Sequence, residues 1–240
     1  MLGHRIKLTK SEDVAEGTMA FHFTRPAAFD FQAGQTMDIT LIDPPETDAE
    51  GNVRTFSIAS SPFEDELMIA TRMRDTAFKR VLRDARPGLE VDIVGPDGSL
   101  TLHRDANRPA VFLTGGIGIT PFLSIVRQAV HEKSKREIYL IDSNRRPEDA
   151  PFLDLLKELA AEYPHFHLIA TMTKMETSHQ SWAGETGLVD AAMLSRHLPH
   201  RVRPVYYIAG PPQMVTATQK LLSEAKVDKE DLRSEEFSGY

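Results

Sequence analysis

The feature that most constrains this chain is a change of texture near residue 104. Before it, β-branched runs at residues 19–24, 36–42, 55–59, 67–73 and 89–94 are separated by Gly17, Gly34, Pro44, Pro45, Pro62, Pro87, Gly88 and Pro96. Short, evenly spaced runs with such punctuation predict an antiparallel barrel or sandwich. One interruption, residues 75–85, has Phe78, Val81 and Leu82 at helical spacing behind Asp75 as a candidate cap. Beyond residue 104, apolar runs at 110–113, 138–141, 166–170 and 205–209 alternate with helical stripes. These are Phe122, Ile125, Val126, Ala129 and Val130, then Phe152, Leu155, Leu156 and Leu159, then Met214, Val215, Leu221, Leu222 and Ala225. That alternation predicts an α/β parallel-sheet domain. Polar residues at 104–108 separate the textures, so we expect domains over 1–104 and 105–240, sizes a 240-residue chain accommodates.

Cysteine is absent. Disulfides, thiolate nucleophiles and cysteine-ligated clusters are therefore excluded, and any redox chemistry must sit on a bound cofactor. The 35 acidic against 28 basic side chains give a net charge of -7, which argues against a nucleic-acid partner. The charged amino terminus lacks the apolar centre of a signal peptide. The apolar stretch 109–130 is broken by Gly115, Gly116, Gly118 and Pro121 and carries Arg127, so it reads as strand, turn and helix, with no membrane span. A soluble, cytoplasmic protein is the expectation. His165 and His167 flank Phe166 as alternate residues of a strand would, and no metal site is expected. No Gly-x-Ser-x-Gly elbow supports a hydrolase, and Trp182 reads as a loop anchor.

Three segments carry chemistry. Arg54, Thr55, Phe56 and Ser57 lie on a strand. Alone they fit an ordinary amphipathic strand equally well, but Thr76 and Ala77 open a helix whose free N–H groups suit a phosphate, which an arginine would also pair. Gly115, Gly116, Gly118, Thr120 and Pro121 connect a buried strand to an amphipathic helix. The glycines allow close approach of a ligand, with Thr120 as cap and Pro121 at the first helical position. Gly210, Pro211 and Pro212 follow the last long strand, at the kind of strand end where open α/β sheets bind ligands.

Taken in order and spacing, these segments resemble the ferredoxin-NADP reductase family of flavoproteins, whose members share an Arg-x-aromatic-Ser strand, a Gly-Gly-x-Gly-x-Thr-Pro loop and a Gly-Pro-Pro turn. The resemblance implies an FAD-binding antiparallel β-barrel followed by an NAD(P)-binding domain. It places Arg54 on flavin phosphate, Thr55 and Phe56 along the flavin, and Ser57 near its N5 atom. Thr76 and Ala77 would face the pyrophosphate, with Gly115, Gly116, Gly118, Thr120, Gly210 and Pro211 around the nicotinamide nucleotide. Glu236, in the acidic-aromatic tail, would be a second catalytic residue beside Ser57. Phe56 and Ala209 stand where many relatives have tyrosine and cysteine. Hydride transfer from NAD(P)H needs two oriented rings and no protein nucleophile, so neither departure removes the chemistry. The alternative is a flavin- or nucleotide-binding sensor without catalysis.

Arg145 and Arg146 follow the second parallel strand, where guanidinium groups would suit the extra phosphate of NADPH. They fit solvated arginines equally well, and Asp142 instead suits the free ribose hydroxyl of NADH. A cluster of Arg72, Arg74, Lys79, Arg80, Arg83 and Arg86 would attract a small acidic electron carrier such as a ferredoxin or flavodoxin, unless it is only a solvated face.

Overall fold

The computed structural model describes residues 3–199 and 202–237. Its first sheet comprises β1 (His4–Ala15), β2 (Thr18–Thr24), β3 (Thr36–Leu41), β4 (Val53–Ser57), β5 (Glu66–Arg72) and β6 (Glu90–Asp97). These run antiparallel in the order β4-β3-β6-β1-β2-β5. Alternate residues turn inward, so Phe21 and Phe23, Ile39 and Leu41, Leu67 and Ile69, and Val91 and Ile93 meet in one core. The sheet curls around them without closing, because β4 and β5 lie at its two ends. β1 goes beyond the five expected runs. It buries Ile6 and Leu8, but register shifts after Leu8 and Asp13 interrupt the two-residue alternation that would reveal it in sequence.

Helix α1 (Ala77–Asp84) buries Phe78 and Leu82 against this core. Its cap is Thr76 rather than Asp75. Thr76 holds the extended backbone a cap requires, and its hydroxyl accepts the Lys79 N–H, while the Asp75 carboxylate pairs with Arg80.

The second sheet is wholly parallel: β7 (Ala110–Thr114), β8 (Ile138–Asn144), β9 (Phe166–Met172), β10 (Glu185–Thr186), β11 (Val205–Gly210) and β12 (Leu232–Glu236), in the order β10-β9-β8-β7-β11-β12. All five residues of β7 are buried, as a strand covered on both faces demands. Helices α2 (Ile119–His131) and α3 (Leu153–Glu162) cover one face; α4 (Ala191–His197) and α5 (Pro212–Glu224) cover the other. Glu235 and Glu236 of the acidic-aromatic tail belong to β12, whose residues Leu232–Glu236 pair in register with β11. Residues 238–240 lie outside the described part. No helix among the described residues is long and apolar enough to cross a membrane.

The sheets share a seam. Ala20, Ala59, Met68, Ala70 and Leu100 pack in the same cluster as Phe112, Phe122, Val126 and Tyr207. Inside it, the Ser61 hydroxyl donates to the Ser124 carbonyl at 2.8 Å and the Ser124 hydroxyl donates to the Ser60 carbonyl at 2.6 Å. The central strand β7 has β8 on one side and β11 on the other, so connections leave it in opposite directions and open a crevice at its carboxyl end.

Candidate functional site

A cleft of about 340 Å³ opens along the seam. Arg54, Thr55, Phe56 and Ser57 of β4 line it together with Arg72, Arg74, Thr76 and Lys79, and the opposite wall is Ile117, Thr120 and Phe237. Phe56 reaches it from a packed position against Phe78, with ring centroids 5.9 Å apart. Thr55 donates its hydroxyl to Asp38 at 2.5 Å across the β3–β4 pair. The Ser57 hydroxyl is buried and has no hydrogen-bond partner among the described residues, at a place where it borders the cleft. A buried polar oxygen left so costs about 1–3 kcal/mol, which a ligand atom in the cleft would offset.

Positive charge gathers on the same wall. Burial, then the neighbouring Arg74 and Arg54, push Lys79 down to about 8. The loop between β3 and β4 answers with carboxylates. Glu50 meets the Arg54 guanidinium at 2.8 Å and Asp48 lies 3.7 Å from it. Asp48 also accepts the Ala77 N–H at 2.8 Å, and that bond holds its carboxyl below the usual range. An acidic oxygen thus occupies the amide at the start of α1. Lys79, Arg74, Asp48, Glu50 and Phe237 were not in the expected binding set. Lys79 and Arg74 were legible only as a charge cluster, and Phe237 comes to the cleft through the unforeseen β12.

The glycine-rich segment lies where the crevice opens. Gly116–Gly118 forms a single 3-10 turn that runs directly into α2. Helix α2 therefore begins before Thr120, which does not cap it: the Thr120 hydroxyl donates to the Ile117 carbonyl at 3.0 Å, and Pro121 sits at the third helical position. Gly116 has φ +56°, a conformation that favours glycine. Gly118 packs against β11 so closely that a Cβ would lie 2.2 Å from the Ala209 carbonyl oxygen. A Cβ on Gly115 would lie 2.8 Å from the Ser143 carbonyl oxygen. Thr114 donates its hydroxyl to the Ala209 carbonyl at 2.9 Å, which draws the Gly210 and Pro211 turn beside this loop. Pro211 leads into α5. Glu236 ends β12 with its side chain exposed, while Phe237 donates its N–H to the Gly210 carbonyl and borders the cleft.

At the end of β8 the arginines separate. Arg146 is engaged by Asp149 at 2.7 Å and by Glu16 of the β1–β2 turn at 2.8 Å, so it ties the two domains together. Arg145 is exposed, and its carbonyl accepts the N–H of Lys174, also exposed. Asp142 cannot reach a ribose, contrary to one sequence expectation. It is 0% exposed, burial pushes its carboxyl up to about 7, and its Oδ2 accepts the Asn144 side-chain amide at 2.9 Å. His165 and His167 both meet Glu137, at 2.6 and 2.7 Å. Trp182 donates to the Glu185 carbonyl at 2.8 Å and anchors its loop.

Residues 112–220 match the family model described as the oxidoreductase NAD-binding domain. The phenol hydroxylase P5 protein of Acinetobacter pittii is 26% identical over 98% of this chain and 67% of its own length. The glycine betaine monooxygenase reductase subunit of Chromohalobacter salexigens is 26% identical over 92% of this chain and 60% of its own. The chain thus spans roughly three fifths to two thirds of these curated relatives. A ferredoxin NADP+ reductase from Neisseria gonorrhoeae, solved with bound FAD and NADP, superposes with a TM-score of 0.79 at 21% identity and covers 98% of each chain. The Amycolatopsis cytochrome P450 reductase superposes with a TM-score of 0.82 at 23% identity, over 99% of this chain and 71% of its own. The chain therefore has the two-domain fold of these solved reductases, and its residues 112–220 match an oxidoreductase NAD-binding domain.

Proposed function

We propose that this chain is an FAD-dependent oxidoreductase that oxidises NAD(P)H and hands the electrons to an acceptor, with residues 1–104 as flavin domain and 105–240 as nucleotide domain. The observation that carries it is the single cleft bordered by Ser57's unpartnered hydroxyl, by Arg54, Arg74 and Lys79, and by the glycine-rich turn. These residues fit a flavin: the cations and the start of α1 suit its phosphates, Phe56 offers an apolar face, and Ser57 a polar atom for the ring edge. When bound, the flavin supplies the acceptor of hydride and the outlet for single electrons. Arg54, Thr55, Thr76 and Ala77 hold its phosphate end, which requires Asp48 and Glu50 to withdraw. Gly115, Gly116, Gly118, Thr120, Gly210 and Pro211 bring the nicotinamide against Ser57, and Phe237 covers the same opening from β12. Glu236, exposed at the end of β12 and next to Phe237, is the polar side chain we assign to the nicotinamide side of that opening.

For the extra phosphate of NADPH we assign Arg145, with Lys174 beside it, and withdraw Arg146 because its guanidinium is already paired. The acceptor we favour is a small acidic carrier of the ferredoxin or flavodoxin kind, met in the cytoplasm. Arg80 and Arg83 are neutralised by Glu46 and Asp84, so attraction rests on Arg72 and Arg74 at the cleft and on the exposed Arg86 beyond α1. The test is an anaerobic titration of the flavin-loaded protein with NADPH and with NADH. Bleaching of the flavin absorbance supports the enzyme. Nucleotide binding without bleaching supports the sensor in its place.

A further inference from the structure

The group in this molecule with the least explained position is the buried carboxyl of Asp142, at the carboxyl end of β8 beside the central strand. Its Oδ1 has no partner among the described residues, and its Oδ2 accepts from the Asn144 side chain at 2.9 Å. Asn144 is buried in turn, and its own oxygen accepts the N–H of Gly116 at 3.1 Å. The Asn144 backbone carbonyl takes the Thr173 N–H at 2.9 Å, so the main chain beneath this amide is fixed from the next strand. Two side chains therefore connect the inside of the sheet to one backbone amide of the glycine-rich turn. A side-chain amide can rotate by half a turn and exchange its oxygen for its nitrogen; the Gly116 donor in front and the Asp142 acceptor behind both select the orientation that points oxygen at Gly116, and the acceptor fixes the amide plane from inside the sheet.

We infer that Asp142 is a positioning residue for the nicotinamide nucleotide: it orients the Asn144 amide, and Asn144 holds Gly116 in the left-handed conformation that shapes the turn. The inference rests on the proposed nucleotide reading of that turn. Neither side chain meets the substrate. Their effect passes through Gly116, whose φ of +56° is the conformation the relay has to maintain. What Asp142 must supply is an acceptor oxygen. A raised affinity for its proton, from burial, is compatible with that role, because a neutral carboxyl keeps an acceptor oxygen.

Three variants separate this from a merely structural role. Asn144→Ala and Asp142→Ala should each raise KM for the reduced nicotinamide about five- to tenfold, the scale of one lost buried hydrogen bond, with kcat and flavin affinity changed far less. The double variant should be no worse than either single one, because both act on one amide. Asp142→Asn keeps an acceptor oxygen in the same place and should restore KM. Hydrogen exchange at the Gly116 amide, followed by NMR without nucleotide, should quicken in both alanine variants and stay slow in Asp142→Asn. Unchanged exchange at Gly116 in Asp142→Ala, additive losses, or an asparagine variant as impaired as the alanine one would overturn the inference. If the wild-type chain oxidises neither nucleotide, the functional reading fails by itself, and the exchange comparison still decides whether Asp142 governs Gly116.

Discussion

The two walls of the cleft are built on opposite principles. The barrel wall brings Arg54, Arg72, Arg74 and Lys79 to the lining, whereas the wall from the parallel sheet contributes the uncharged Ile117, Thr120 and Phe237. In the proposed reading the barrel would recognise by side-chain charge, which carboxylates of its own loop can occupy, as Asp48 and Glu50 do. The parallel sheet would recognise by backbone shape, set by close packing of glycines on β8 and β11. Charge is tunable and replaceable; a packed turn is neither. The two halves of the reaction should therefore fail differently when they are disturbed.

The largest effect should come from the packed wall. Gly118→Ala places a Cβ against three backbone atoms of β11, within 2.2 to 2.8 Å, and nothing flexible can yield. At about 3 kcal/mol for overpacking of this kind, NAD(P)H should bind roughly 100-fold more weakly, while flavin affinity holds. Steady-state kinetics beside a flavin titration checks this; equal losses of both ligands would end the contrast between the walls.

On the charged wall, Arg54→Ala should loosen flavin by roughly 1.5–3 kcal/mol, the range of a charge-assisted hydrogen bond. Asp48→Asn should do the reverse and tighten it, because the carboxylate competes for Ala77 and Arg54. Fluorescence quenching of added FAD reads both, and two changes of the same sign would remove Asp48 from the phosphate site.

A smaller effect separates the arginines after β8. Arg145→Ala should lower the ratio of catalytic efficiencies for NADPH over NADH by about tenfold. Arg146→Ala should leave that ratio alone and lower thermal stability instead, since it breaks the contact with Glu16. A ratio that moves only with Arg146 would reverse the assignment.

The pH dependence sharpens the comparison further. Lys79 is pushed down to about 8 from 10.5. A bound phosphate would raise it again, so binding takes up a proton above pH 8. Flavin affinity should fall as pH rises through about 8, by at most about tenfold per unit, and Lys79→Met should flatten the profile. The unfolded chain binds this proton more tightly, so Lys79 by itself makes stability rise between pH 8 and 10.5. A flavin affinity independent of pH across that window would place Lys79 away from the phosphate.

The smallest effect concerns the acceptor. With Arg80 and Arg83 already paired, raising salt beyond about 0.1 M should slow electron delivery to an acidic carrier only a fewfold, and should leave flavin reduction by NAD(P)H unchanged. Stopped-flow rates over one salt series would show it, and a steep dependence would restore the wider patch.

The sequence by itself determined the order of the two textures, because inward alternation in the first half and continuous apolar runs in the second are properties of neighbouring residues. It also placed Arg54, Phe56 and Ser57 on β4 and the glycines between β7 and α2, since strand pattern and turn chemistry are local. The tertiary structure decided what depends on distant neighbours. β1 was hidden by its register shifts, and β12 by a polar sequence that only an edge position beside β11 tolerates. Asp142 and Arg146 looked alike as candidates for the ribose end, yet one is sealed beneath the sheet and the other is held by Glu16, about 130 residues away in sequence. Likewise Asp48 and Ala77 meet only because the β3–β4 loop folds back over α1. Burial and long-range pairing are sums over the whole chain, and no local pattern records them.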